Sequence, residues 1–311
     1  MTKVAQHDLA GPETPAGGGL SRRWTWLGGA LSVGLVAAVI LQLGGATSDV
    51  LKTIARLPPL VWPALLLLYL TQPVCDFAVF RRLWNLPAAG FEALLRKTVI
   101  NEVVLGYSGE AYLYVWARRA VGTIAAPFGA IKDANIISAL LGNLLTLALA
   151  AASATQLRDL DFAERLGPAL WSGLVPVAIS IGLLIFGRRV FSLRPGQLAY
   201  VGAAHGLRLV VSTGLVLLIW TLALPAVAPA LWLVLMAIRY LVSRIPLISN
   251  KDLVFGNLML LLLGAQSSVA VLLAALALMT LGLHLVVIVG LGAADLARGL
   301  RRASGPRLTA A

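Results

Sequence analysis

The sequence predicts an all-α, polytopic helical membrane protein. Three observations lead there. Hydrophobic residues make up 59% of the 311 positions. Charged residues make up 12%, about half the usual share for a soluble domain. Several apolar runs reach the ~17–25 residues that a bilayer-crossing helix needs. No stretch is polar enough to form a soluble catalytic domain.

Residues 1–23 are polar and rich in Gly and Pro, and they read as a disordered cytoplasmic tail. A signal peptide is not expected, because the apolar run that follows is too long and its charged flank lies too far from the start. Full spans are predicted at about 25–45, 61–80, 130–156, 169–187, 198–223 and 267–297. A basic cytoplasmic tail follows at 298–311.

Two regions break this pattern. Residues 91–120 are apolar but interrupted at Gly106-Tyr107-Ser108-Gly109. Residues 229–265 carry two apolar legs around the run from Ser243 to Asp252. Each leg has about 11–15 residues, roughly 16–22 Å of helix at ~1.5 Å per residue. That is short of a ~30 Å hydrocarbon core. Paired short legs predict re-entrant hairpins, which enter the membrane, turn, and leave on the same side. Irregular backbone at such depth survives only inside protein or beside a wet cavity.

This gives six full spans and two re-entrant hairpins. Residues 24–156 read as span, span, hairpin, span, and residues 168–297 repeat that order. Three crossings per unit turn the second unit upside down, an inverted repeat with broken helices at mid-depth. The rival layout makes both legs of 229–265 full crossings, for eight spans.

Charge placement agrees with the re-entrant layout. The net charge is +12. Lys3, Arg22, Arg23, Arg81, Arg82, Arg96, Lys97, Arg118, Arg119, Arg188, Arg189, Arg194, Arg298, Arg301, Arg302 and Arg307 fall on the cytoplasmic side. Only Lys52, Arg56, Arg158 and Arg165 fall outside. Cations gather this way in cytoplasmic loops. The excess charge is therefore assigned to topology, and nucleic acid is not an expected partner. Both termini are placed in the cytoplasm and the chain in the plasma (inner) membrane. The lone cysteine, Cys75, has no internal disulfide partner, and no Cys/His cluster suggests a metal; no cofactor is expected.

Polar residues at membrane depth cost at least ~2.5–3.5 kcal/mol when charged, so they need partners or a wet cavity. Glu110 opens the second leg of the first hairpin, where the helix dipole favours a carboxylate. Ser108 is placed to cap that leg, and Tyr107 stands at the tip. Glu110 needs a partner from elsewhere, and Arg208 is a candidate. Lys132, Asn135, Asn143 and Thr146 form one polar stripe on the span from 130. Lys132 can also snorkel to the surface, and Asn143 can bond a neighbouring helix. His205 and Arg208 share a face. Arg239, Arg244, Lys251 and Asp252 surround the second tip, where Pro246 breaks the helix and Ser249 or Asn250 can cap the next leg. Three cations with one carboxylate suit an anionic headgroup. Asp76 is explained by a local pair with Arg81 or Arg82. The candidate binding set is Tyr107, Ser108, Glu110, Lys132, Asn135, Arg208, Arg239, Arg244, Lys251 and Asp252, with no catalytic residue.

The run from Val103 to Arg119 resembles the hairpin segment of the lysylphosphatidylglycerol synthase transmembrane domain, the flippase-like integral membrane family. Gly109 and Glu110 match that family's Gly-Glu pair. The run from Ala130 to Asn143 falls where the family has a polar-headed span, and Ser243 to Asn257 falls at its second hairpin, with Pro246 matching. Leu105 to Ser108 stand where the family has proline and arginine. Leu113 replaces a later arginine, and the second Gly-rich run and its glutamate are missing. The resemblance spans about 25–297 and implies a divergent member without the aminoacyl-transferring domain. It implies movement of a phospholipid or lipid-linked sugar between leaflets, with membrane lipids as partners and lipid- or glycan-synthesis proteins as further candidates. Other readings of the residues are a non-catalytic membrane partner of such a pathway and, less well supported, an intramembrane lipid-modifying enzyme. No nucleophile–base pair or close carboxylate pair favours the enzyme.

Overall fold

A computed structural model of the chain describes residues 47–120, 127–155, 182, 190–245 and 248–303. The predicted span at 25–45, that at 169–187 apart from residue 182, the first tail and Pro246 lie outside the described residues. Every described element is helical: α1 (Thr47–Arg56), α2 (Val61–Trp84), α3 (Gly90–Val103), α4 (Ser108–Ala120), α5 (Pro127–Ala152), α6 (Pro195–Ala223), α7 (Pro229–Ser243), α8 (Lys251–Leu263) and α9 (Ser268–Ala303). Four of these are long and apolar enough to cross a membrane: α2, α5, α6 and the Ser268–Ala294 part of α9. They coincide with the predicted spans. The predicted tail at 298–311 begins as helix, because α9 continues to Ala303.

The helix boundaries follow local chemistry. Pro195 and Pro229 open α6 and α7; a ring with no N–H loses nothing in a first turn. The Gln197 side chain accepts the Arg194 N–H at 3.0 Å ahead of α6. Asn85 ends α2 in the left-handed conformation, φ 49°, one that asparagine tolerates.

The outward faces of the long helices are apolar and open. Leu144 is 64% exposed, Val210 71% and Val289 70%. An apolar surface running over several helices marks a face that meets something apolar, and a bilayer fits helices of this length. Inside lie two clusters. One gathers Phe80, Trp84, Leu94, Leu113 and Ile131 from α2 to α5. The larger centres on Trp220, Trp232, Leu235, Phe255 and Met259, with the small-residue face of α9 behind them.

Apart from α1, with 10 residues, the described helices that miss span length come in two pairs. α3 and α4 have 14 and 13 residues, α7 and α8 have 15 and 13. At ~1.5 Å per residue that is roughly 20–23 Å. The packing also has an order. α2 packs on α6, α3 leans on α9 as α7 leans on α5, and α5 lies against α6 as α9 lies against α2. Exchanging α2–α5 for α6–α9 maps the α2–α6 contact onto itself and the others onto one another, while the packing of α2 on α3 has no counterpart of like extent between α6 and α7.

Candidate functional site

The first tip is built by a close approach. The chain breaks over Val104–Tyr107, so Ser108 and Gly109 already belong to α4, and the turn sits two residues earlier than the Gly-Tyr-Ser-Gly run predicts. Tyr107 takes φ 72°, an uncommon conformation for a bulky residue. Gly109 lies directly on α3: a Cβ there would land on the Lys97 carbonyl oxygen. Its N–H donates to Asn101 Oδ1 at 2.7 Å. Asn101 therefore caps α4 from across the hairpin. The Ser108 hydroxyl instead donates back to the Leu105 and Ile100 carbonyls, which corrects the cap assigned to it.

The second tip turns between Arg244 and Asn250. Asn250 is left-handed, φ 50°, and neither it nor Ser249 makes the predicted side-chain cap on α8. Lys251 Nζ reaches back across the turn to the Ser243 carbonyl at 2.8 Å. The backbone N–H of Asn250 donates to the Glu102 carbonyl at 2.8 Å. The two tips therefore touch.

Two cavities meet at this contact. The larger, about 300 Å³, is lined by Tyr69, Arg208, Arg239, Asp252 and His284 among others. The smaller, about 210 Å³, is lined by Lys97, Asn101, Tyr107, Glu110, Asn135, Ser138 and His205. Gln72, Thr98, Glu102, Ser243, Arg244 and Lys251 line both. Each volume is far above the ~10–15 Å³ that admits one water.

The charges sort into three groups. Lys97, 5% exposed, binds Asp76 Oδ2 at 2.7 Å and stands 3.4 Å from Glu110 Oε1. Gln72 completes Asp76 with a 2.8 Å bond to Oδ1. This overturns three expectations. Asp76 does not pair with Arg81 or Arg82, which lie over the Phe77 and Tyr200 rings. Lys97 is not an edge cation but a buried one. Glu110 takes Lys97 rather than Arg208. In the second group Arg239 binds Asp252 at 2.7 Å.

The third group is Arg208, Arg244 and Lys251. Arg208 donates to Ser138 Oγ at 3.3 Å, and its buried Nε has no partner. The Arg244 guanidinium lies against Gly142 of α5, 3.5 Å from Asn143 Oδ1. Arg208 and Lys251 are both close enough to Arg244 to repel it. Among the described residues no carboxylate forms an ion pair with any of the three. Glu102, Glu110 and Asp252 are the countercharges near Lys251.

Of the predicted binding residues, Tyr107, Glu110, Asn135, Arg208, Arg239, Arg244, Lys251 and Asp252 line the joined cavities. Lys132 does not. Its ammonium is held by the Val190 carbonyl and Ser192 Oγ, beside Asp133. Asp133 itself is fully buried and accepts the N–H groups of Ser192 and Leu193 at 2.7 Å each, pinning the start of α6 to α5. Ser108 turns to the backbone of its own hairpin. The sequence reading missed Lys97, Asp76 and Asn101 as site residues. Residues 97, 101 and 110 carried a signal: polar side chains at four-residue spacing on a short apolar leg, facing an acid on the next. The buried bond between Tyr69 Oη and His284 Nδ1, 3.0 Å, was also missed.

Among the described residues no group of three or more His, Cys, Asp or Glu is placed to hold a metal. No family model matches the chain, and neither does any curated protein or solved structure.

Proposed function

We propose that this chain is a lipid carrier of the flippase-like kind, moving an anionic or glycosylated lipid headgroup between leaflets of the plasma (inner) membrane. The observation that carries this reading is the cluster of Arg208, Arg244 and Lys251 where the two hairpin tips meet. Arg208 and Lys251 each repel Arg244, and cations crowded in a low-dielectric interior are costly. A phosphate would supply the charge they lack, and arginine forks suit phosphate oxygens. Wet space on both sides of the Glu102–Asn250 contact would let a headgroup pass while its acyl chains stay in lipid.

In this reading α3/α4 and α7/α8 are re-entrant hairpins from opposite sides of the membrane, in two inverted units with both termini cytoplasmic. The contact pattern that survives exchange of α2–α5 with α6–α9 supports it, as do the short helix pairs. Crossing would need the units to rock about the tips. The likeness of Gly109 and Glu110 to the lysylphosphatidylglycerol synthase transmembrane domain points the same way.

The test is reconstitution of the full chain into vesicles with a fluorescently labelled phosphatidylglycerol, followed by an impermeant quencher. A carrier exposes inner-leaflet label to the quencher. Glu110→Gln slows that exposure while the protein still elutes as a folded species. Label that stays half protected with the wild-type protein removes the carrier reading.

A further inference from the structure

The two cavities share a wall but differ in chemistry. At the shared wall Arg244 lies near Arg208 and Lys251 with no carboxylate paired to any of them. The smaller cavity adds neutral polar groups to its charged lining: the amides of Asn101 and Asn135 and the hydroxyl of Ser138. Asn101 spends its oxygen on Gly109, which leaves its N–H groups to donate. Glu110 Oε2 is buried and has no hydrogen-bond partner, while Lys97 occupies the side of Oε1. Ser138 joins the two zones through its bond from Arg208.

We infer that the joined cavities hold one headgroup in two parts: a phosphate beside Arg244, and an uncharged polyol, glycerol- or sugar-like, beside Glu110, Asn135 and Ser138. A hydroxyl can donate to Glu110 Oε2 and accept from an amide, so a polyol satisfies both kinds of lining group. An ammonium fits badly. An ammonium brought to Glu110 would stand beside Lys97, which already lies 3.4 Å from the same carboxylate, and would be repelled by it. The site therefore selects phosphate-linked polyols and rejects zwitterionic or aminoacylated headgroups. An ammonium donates but cannot accept, so it leaves the amide N–H groups of Asn101 and Asn135 without an acceptor, which is the lever for that selection.

The lipid side of this inference rests on the carrier reading, and binding separates the two. Full-length protein in detergent is presented with equal amounts of dioleoyl-phosphatidylglycerol and dioleoyl-phosphatidylethanolamine, and retained lipid is read by native mass spectrometry. Wild type retains the glycerol lipid about tenfold more strongly. Ser138→Ala and Asn135→Ala, each checked for a folded elution profile, shrink that preference, whereas Arg244→Gln weakens both lipids. Equal or stronger retention of the ethanolamine lipid overturns the two-part site. Preference without movement in vesicles keeps the site and removes the carrier. A third arm offers free sn-glycerol 1-phosphate: if it binds and no lipid is retained, the two-part site stands and belongs to a soluble phosphate ester.

Discussion

The backbone N–H of Asn250 donates to the carbonyl of Glu102 at 2.8 Å, across 148 residues of sequence. This bond joins the turns of two helical hairpins, neither of which is long enough to cross a bilayer leg by leg. It also sets Glu102 against Lys251, so the tips share charge as well as backbone. The bond depends on Asn250 holding φ 50°. Asn250→Val should cost ~1–2 kcal/mol, because a β-branched side chain resists the left-handed region. Asn250→Gly should cost less. Thermal unfolding of the purified protein followed by size-exclusion elution ranks the two.

Gly109 is a contact as much as a hinge. A methyl there meets the Lys97 carbonyl, which is backbone and cannot swing aside. Gly109→Ala should therefore splay α3 from α4 and lower stability by ~1–3 kcal/mol. The same unfolding measurement should show a clear downward shift, with the Asn101 cap lost alongside it.

Gly142 gives a cleaner probe of function. A methyl there meets the Arg244 guanidinium, the far end of a flexible side chain. Gly142→Ala should leave α5 intact, since alanine is the better helix former by ~1 kcal/mol. It should push Arg244 off its seat. Retention of phosphatidylglycerol should fall about tenfold with unfolding unchanged. Unchanged retention would mean that Arg244 does not touch the ligand.

Lys97 balances two carboxylates, and Asp76 balances none without it. Lys97→Met should therefore cost more than Asp76→Asn. Removing one side of a buried pair costs ~3–5 kcal/mol, and Lys97→Met leaves two acids without a cation. Expression and monodispersity of the two variants in detergent give the comparison. Equal losses would argue that Glu110 draws its support from elsewhere.

The long helices were legible in the sequence because a 24- to 29-residue apolar run has few other fates, and α2, α5 and α6 stand where hydropathy puts them. The short pairs were legible too, from their length and the interruptions between them. Side-chain partners were harder to read. Lys97 looks like a flanking cation beside Arg96, but Arg96 bonds Glu92 at 2.7 Å on the part-exposed face while Lys97 turns inward to Asp76. One helical step separates a surface charge from a buried one, and periodicity in a short apolar leg does not say which is which. Lys132 erred the other way: its stripe is real for Asn135 and Asn143, but its long stem carries the ammonium to the Val190 carbonyl. Capping failed at both tips because the donors and acceptors come from the opposite leg, as Asn101 does for Gly109, or from the other hairpin, as Glu102 does for Asn250.

The most direct measurement asks on which side each hairpin begins and ends. Ala88 and Arg119 flank α3/α4, Ala226 and Gln266 flank α7/α8, and all four are exposed. Cys75, the lone cysteine, is buried, so single substitutions to cysteine can be read against a quiet background. Impermeant thiol reagents applied to intact cells and to inverted vesicles should label positions 88 and 119 from the cytoplasm, and 226 and 266 from outside. If either pair splits, with its two members labelled from opposite sides, that hairpin crosses the membrane and the carrier built on two facing tips is wrong.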